Sequence, residues 1–179
     1  MEQIRIHGRG GQGVVTAAEL IALAAFDAGK YAQAFPNFGV ERTGAPIQSY
    51  ARISEEPIIT REQIYNPNIL IIQDASLLET EDILRGTDKN TLFIINAPNN
   101  YQSPIKLPSK KVFFSPATEI ALKMFGKNIV NTIILGSFAK HSGLITLESL
   151  KQAVMKKFAD KGETIIKKNI QAVEIAFND

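Results

Sequence analysis

Six consecutive residues near the start, Gly8, Arg9, Gly10, Gly11, Gln12 and Gly13, crowd four glycines between a short apolar run and a long one. Gly8, Gly10 and Gly13 have the G-x-G-x-x-G spacing that joins a strand to a helix in phosphate-binding folds. Such a turn gathers backbone N–H groups and the positive end of a helix dipole at one point, where a phosphate or carboxylate is stabilised. Missing β-carbons let the ligand approach the backbone. Gln12 can add a donor and an acceptor, and Arg9 a charge if it points inward. The alternative is a tight turn that only packs helix against strand, a reading that the turn's place at the start of an α/β domain disfavours.

The rest of the chain narrows the ligand. A nicotinamide dinucleotide needs an acid roughly 20 residues past the glycines to hold the ribose. The stretch there reads "AQAFPNFG"; Asp27 falls within the preceding helix, and Glu41 comes late, in the loop "PNFGVERTGAP". No lysine follows Gly13, so the ATP-binding G-x-x-x-x-G-K-[ST] pattern is missing as well. In that loop Pro36 and Pro46 stiffen the ends, and Arg42, beside Glu41, either contacts an anion at an assembled active site or anchors the loop. Composition favours an inter-subunit surface for residues 35–46: two phenylalanines, two prolines and a Glu-Arg pair are costly to show to water.

Four other residues could reach a ligand. His7 ends the first strand beside the glycines, and His141 lies near a helix end; neither belongs to a metal-binding pattern, and no metal site is expected. Asp74 and Asn96 follow apolar strands at the ends where α/β sheets place ligand contacts. Capping the next helix is the better reading for Asp74, and Asn96 is kept as a pocket residue.

The elements that must position these residues follow from periodicity. Residues 3–8 alternate as a strand, residues 14–28 are apolar nearly all round as a doubly packed helix, and Gly29 ends that helix. Strands are expected at 30–35, 47–53, 68–74, 91–96 and 110–116, with "NILIIQD" central and a helix capped by Ser76 over 76–85. After Pro116 four helical segments are separated by Gly126, Gly143 and Gly162. The fold class is α/β: a single Rossmann-like domain over residues 1–179, with a mainly parallel sheet and a helical C-terminal third.

Bulk properties close off other classes. With 20 Lys plus Arg against 18 Asp plus Glu and no long basic run, the chain lacks the footprint of a nucleic-acid binder. Without cysteine it can hold no iron–sulfur cluster through thiolates and form no disulfide. "AELIALAAF" is too short and too polar for a bilayer, and the start lacks the basic residues and the apolar run of about 7–15 that mark a secretory signal. No membrane association is expected, and the expected location is cytoplasmic.

Two stretches together, "GRGGQGVVTAAELIA" at 8–22 and "FPNFGVERTGAPIQSYARIS" at 35–54, resemble the gamma subunit of 2-oxoacid:ferredoxin oxidoreductases, closest to the pyruvate branch. Thr43 is a mild departure from that pattern and is left without a role. The resemblance implies a multi-subunit enzyme of anaerobic metabolism. It decarboxylates a 2-oxoacid on thiamine diphosphate, passes electrons through iron–sulfur clusters to ferredoxin or flavodoxin, and delivers the acyl group to coenzyme A. Thiamine diphosphate, Mg and [4Fe-4S] clusters are then held by the alpha, beta and delta-type partner subunits, and the gamma chain is inactive alone. The implied ligand of the glycine turn is coenzyme A, which needs no ribose acid, with Gly8, Arg9, Gly10, Gly11, Gln12, Gly13, Arg42 and Asn96 as candidate contacts. Other 2-oxoacids (indolepyruvate, branched-chain, 2-oxoglutarate) and a non-catalytic nucleotide-binding module remain open alternatives.

Overall fold

A computed structural model describes residues 1–37, 43–80 and 82–179. The chain runs β1 (Glu2–Arg9), α1 (Val14–Asp27), β2 (Tyr31–Pro36), β3 (Pro46–Ser54), β4 (Ile69–Ile72), α2 (Leu77–Thr80), β5 (Leu92–Asn96) and β6 (Val112–Ser115). Four helices complete it: α3 (Ala117–Phe125), α4 (Ile134–Ser142), α5 (Leu147–Lys157) and α6 (Glu163–Asn178).

The strands form one sheet in the order β2-β3-β1-β4-β5-β6. β1, β4, β5 and β6 run parallel, as short apolar strands buried on both faces should. β3 pairs antiparallel with β1 along its whole length, from Glu2 opposite Ile53 to Arg9 opposite Pro46, and β2 pairs antiparallel with β3 at the edge.

Alternation along the strands separates two cores. Ile4 and Ile6 of β1, Ile69 and Ile71 of β4, and Leu92 and Ile94 of β5 face the larger one, built with α1, α3, α4, α5 and α6. Leu70, Ile72, Phe93 and Ile95 face the smaller one, closed by Leu77, Leu78 and Ile83. Helix α1 buries Val14, Ala17, Ala18, Leu20, Ile21, Ala24 and Ala25, and its small residues let it lie close on the sheet, while Phe26 at its far end is 70% exposed.

One expected element is much shorter than its pattern suggested. The helix over 76–85 is only Leu77–Thr80, and Asp74 rather than Ser76 receives its leading hydrogen bonds. Acidic Glu79 and Asp82 oppose a helix C-terminus there, and the chain turns so that the carbonyls of Ile83 and Arg85 meet the Arg5 guanidinium at 2.8 and 2.7 Å. Among the described residues, no helix is long and apolar enough to cross a membrane.

Candidate functional site

Gly10, Gly11, Gly13, Val14, Val15, Thr43 and Ile47 line an open depression of about 420 Å³ at the start of α1. Gly13 caps the helix in the left-handed conformation (φ 71°), and among the described residues no side chain bonds the first-turn N–H groups. Those groups have no intrahelical acceptor and point along the positive end of the dipole.

The glycines divide by what a β-carbon would meet. At Gly8 it would lie 2.6 Å from Val14 Cγ2, and at Gly13 2.4 Å from Asn131 Nδ2, so these two permit helix, strand and α4 approach to close on each other. At Gly11 (φ 94°) nothing lies within 4 Å. Gly11 thus leaves open space where a ligand would come down on the turn. Gly10 spends its backbone on the returning loop, its N–H donating to Ala45 O at 2.8 Å and its carbonyl accepting from Gly44 at 3.0 Å.

Arg9 and Gln12 serve the turn itself. Arg9 Nε donates to Asp74 Oδ2 at 3.0 Å, and its terminal nitrogens donate to Ser76 Oγ at 2.8 Å and Gly44 O at 3.2 Å. Gln12 Oε1 accepts from Arg9 N–H at 2.8 Å while Nε2 donates to Asp74 at 3.3 Å. Burial pushes the Asp74 carboxyl up, but hydrogen bonds from Ser76, the Arg9 charge and Gln12 together hold it below its ordinary value. An ionised Asp74 therefore neutralises Arg9 and ties the end of β4 to the turn.

The other candidates fall elsewhere. Asn96 is buried, with its amide spent on Gln73 O, Thr118 Oγ1 and Thr118 N–H at 2.9, 2.9 and 3.0 Å, which fastens the start of α3 to β5. His7 does not reach the glycine turn, since the alternation of β1 puts it with Arg5 on the opposite face of the sheet. His141 stacks on Phe113 with ring centroids 3.7 Å apart. Glu41 and Arg42 lie outside the described residues. Among the residues that are described, no three His, Cys, Asp or Glu are gathered to hold a metal ion.

The loop expected at a subunit surface is folded onto the domain at both ends. Phe35 packs on Tyr50 with centroids 5.0 Å apart, under the Arg52 guanidinium at 4.9 Å, and Asn37 N–H donates to Gln48 O at 3.1 Å. Thr43, which had no role in the motif, bridges to Gly10 and lines the depression with Ile47. Asn131 under Gly13 was also missed, because a lone amide in "GKNIVNTI" carries no signal of what will pack above it.

Residues 3–178 match the sequence profile of the family described as Pyruvate ferredoxin/flavodoxin oxidoreductase. The pyruvate synthase subunit PorC of Methanosarcina barkeri is 50% identical over 155 residues, covering 86% of this chain and 85% of the relative. The pyruvate/ketoisovalerate oxidoreductases common subunit gamma of Thermococcus kodakarensis is 45% identical, covering 99% and 96%. The crystal structure of the pyruvate oxidoreductase subunit PORC of Thermotoga maritima superposes with a TM-score of 0.86 at 31% identity, covering 99% and 96%. A full-length sequence match, a full-length structural match and the paired turn and loop agree: the chain belongs to the pyruvate ferredoxin/flavodoxin oxidoreductase family, as a gamma subunit of a pyruvate/2-oxoacid:ferredoxin oxidoreductase.

Proposed function

We propose that this subunit receives a phosphate-bearing part of coenzyme A in an assembled pyruvate:ferredoxin oxidoreductase. The complex converts pyruvate and coenzyme A to acetyl-CoA, carbon dioxide and a proton, with two electrons leaving to ferredoxin or flavodoxin. The observation that carries the reading is the start of α1 beneath Gly11, where no side chain of the described residues caps the helix and no atom of theirs stands where a side chain would. The first-turn N–H groups would donate to the phosphate oxygens, and Thr43 and Ile47 would wall the phosphate in.

Magnitudes limit what this chain does alone. Arg9 is neutralised by Asp74, so the anion gains a helix-terminus interaction of about 0.3–1 kcal/mol at an open site. That gives weak binding to the free subunit and leaves the remaining affinity to neighbouring subunits and to this chain's own Arg42. Thiamine diphosphate with its Mg ion and the iron–sulfur clusters belong on partner subunits in this reading, thiamine supplying the carbanion chemistry; the complex works in the cytoplasm. A relative named as common to pyruvate and ketoisovalerate enzymes supports placing substrate choice outside the gamma subunit, so the same role with another 2-oxoacid is the second reading.

The test is methyl viologen reduction by the reconstituted complex carrying Gly11→Ala. The KM for coenzyme A should rise about tenfold while the KM for pyruvate stays within twofold. Equal changes in both, or unchanged coenzyme A dependence with normal assembly, would overturn the assignment.

A further inference from the structure

The face of the sheet turned away from α1 is built differently over β1 and β3. Every helix longer than four residues contributes its buried side chains to the other side. Here Arg5, His7, Gln48 and Tyr50 of the two strands, with Asp82 and Arg85 from the turn after α2, line a separate cavity of about 280 Å³.

Its charges do not balance. Arg5 is 5% exposed, and among the described residues its terminal nitrogens donate only to the carbonyls of Tyr65, Ile83 and Arg85, while Nε has no partner there. None of the ion pairs formed among the described residues includes Arg5, Asp82 or Arg85. A buried guanidinium without a counter-ion is expensive, and carbonyl dipoles offset only part of that cost. His7 is 4% exposed with Nε2 unpartnered, and burial followed by the Arg5 charge hold it down to about 3, so the imidazole is neutral at pH 7. Burial also keeps the Tyr50 hydroxyl a phenol; it donates to Gln48 Oε1 at 3.3 Å. Among the described residues that line the cavity, two cations, Arg5 and Arg85, stand with one anion, Asp82, an excess of one positive charge.

We infer that this cavity is a second ligand site that takes one compact monocarboxylate, held by Arg85 and the field of Arg5, with His7, Tyr50 and Gln48 supplying neutral hydrogen-bonding groups. The size excludes a nucleotide, and the single excess charge matches one carboxylate. The site lies across the sheet from the glycine turn and does not rest on the coenzyme A reading.

With only two histidines in the chain, the imidazole C–H spectrum identifies His7 once His141→Asn removes the other signal. The full chain is titrated with acetate and, separately, with neutral acetamide of the same shape, at constant ionic strength. His7 should shift saturably with acetate and stay still with acetamide. Arg85→Gln, at an exposed position, should weaken acetate at least threefold, and Asp82→Asn should tighten it at least threefold. No saturable response to acetate, an equal response to acetamide, or indifference to both substitutions would overturn the site. The titration is repeated on the complex assembled with isotope-labelled histidine in this subunit alone: a response that persists supports a small-molecule ligand, and one that is lost assigns the counter-charge to an acidic side chain of a neighbouring subunit and overturns it.

Discussion

Strand β1 has two faces of opposite construction. Ile4, Ile6 and Gly8 meet α1 and the larger core without exposing any charge, and that face ends in a helix terminus that presents dipoles to solvent. One residue out of phase, Arg5 and His7 bury a full charge and a neutral imidazole beside it. The lesson is that a single strand can supply a packed foundation on one side and electrostatic tension on the other. A substitution on the first face is felt as lost volume, and on the second as a change in which charge state the fold tolerates.

The largest expected effect breaks the packed face. Ile6 is fully buried among α1 and β4 residues, so Ile6→Ala should cost about 2–5 kcal/mol, through lost transfer energy and a residual cavity. Urea unfolding of the full chain measures it. A cost below about 1 kcal/mol would show that α1 relaxes onto the sheet.

The polar face should respond to pH instead. His7 has its folded value lowered to about 3 against an ordinary 6.5, so below pH 6.5 the unfolded chain binds a proton that the folded chain refuses. Its contribution is fully present above pH 6.5 and is lost as pH falls toward 3. At pH 5 the loss is about 2 kcal/mol. Unfolding free energies of the parent and of His7→Asn, compared at pH 7 and pH 5, should converge by that amount; parallel curves would mean that His7 takes up its proton alike in the folded and unfolded chains.

Much of this contrast was legible in the sequence, and the part that was not has physical causes. Alternation in "QIRIHG" already sends isoleucines one way and Arg5 and His7 the other, and the apolar runs at β4 and β5 announce buried parallel strands. What alternation cannot say is whether the polar side meets water, and here residues 63–65 and 82–85 fold over it. The helix expected over 76–85 is short for the same reason, since Arg5 draws the carbonyls of Ile83 and Arg85 away from helical geometry. In the turn, G-x-G-x-x-G located the site but could not distribute roles within it: Gly8 and Gly13 face Val14 and Asn131, residues whose proximity only the tertiary fold creates.

That division gives a sharper comparison within the turn. Both Gly11 and Gly13 sit at positive φ, so an alanine at either carries about 1–2 kcal/mol of backbone strain. Gly13→Ala adds a collision with Asn131 and should lose more stability than Gly11→Ala in thermal unfolding. Paired with Asn131→Ala, Gly13→Ala should recover part of the difference; no recovery would place the strain in the backbone alone.

The smallest effect asks what Arg9 is for. The Arg9–Asp74 pair is part-exposed at 29% and 22%, so its coupling in a double-mutant cycle of Arg9→Gln and Asp74→Asn should be no more than about 1 kcal/mol in folding stability. The functional split is more informative than the energy. If Arg9 is a strut that holds the turn through Asp74, Ser76 and Gly44, removing either partner loosens the same geometry, and the KM for coenzyme A in the assembled complex should rise alike in both variants. If Arg9 instead turns to the ligand, Arg9→Gln should raise that KM while Asp74→Asn, by releasing the guanidinium, should lower it. The geometry of three simultaneous bonds to this domain predicts the first pattern, and opposite movements of the two KM values would show that the turn lends its charge to the anion as well as its dipoles.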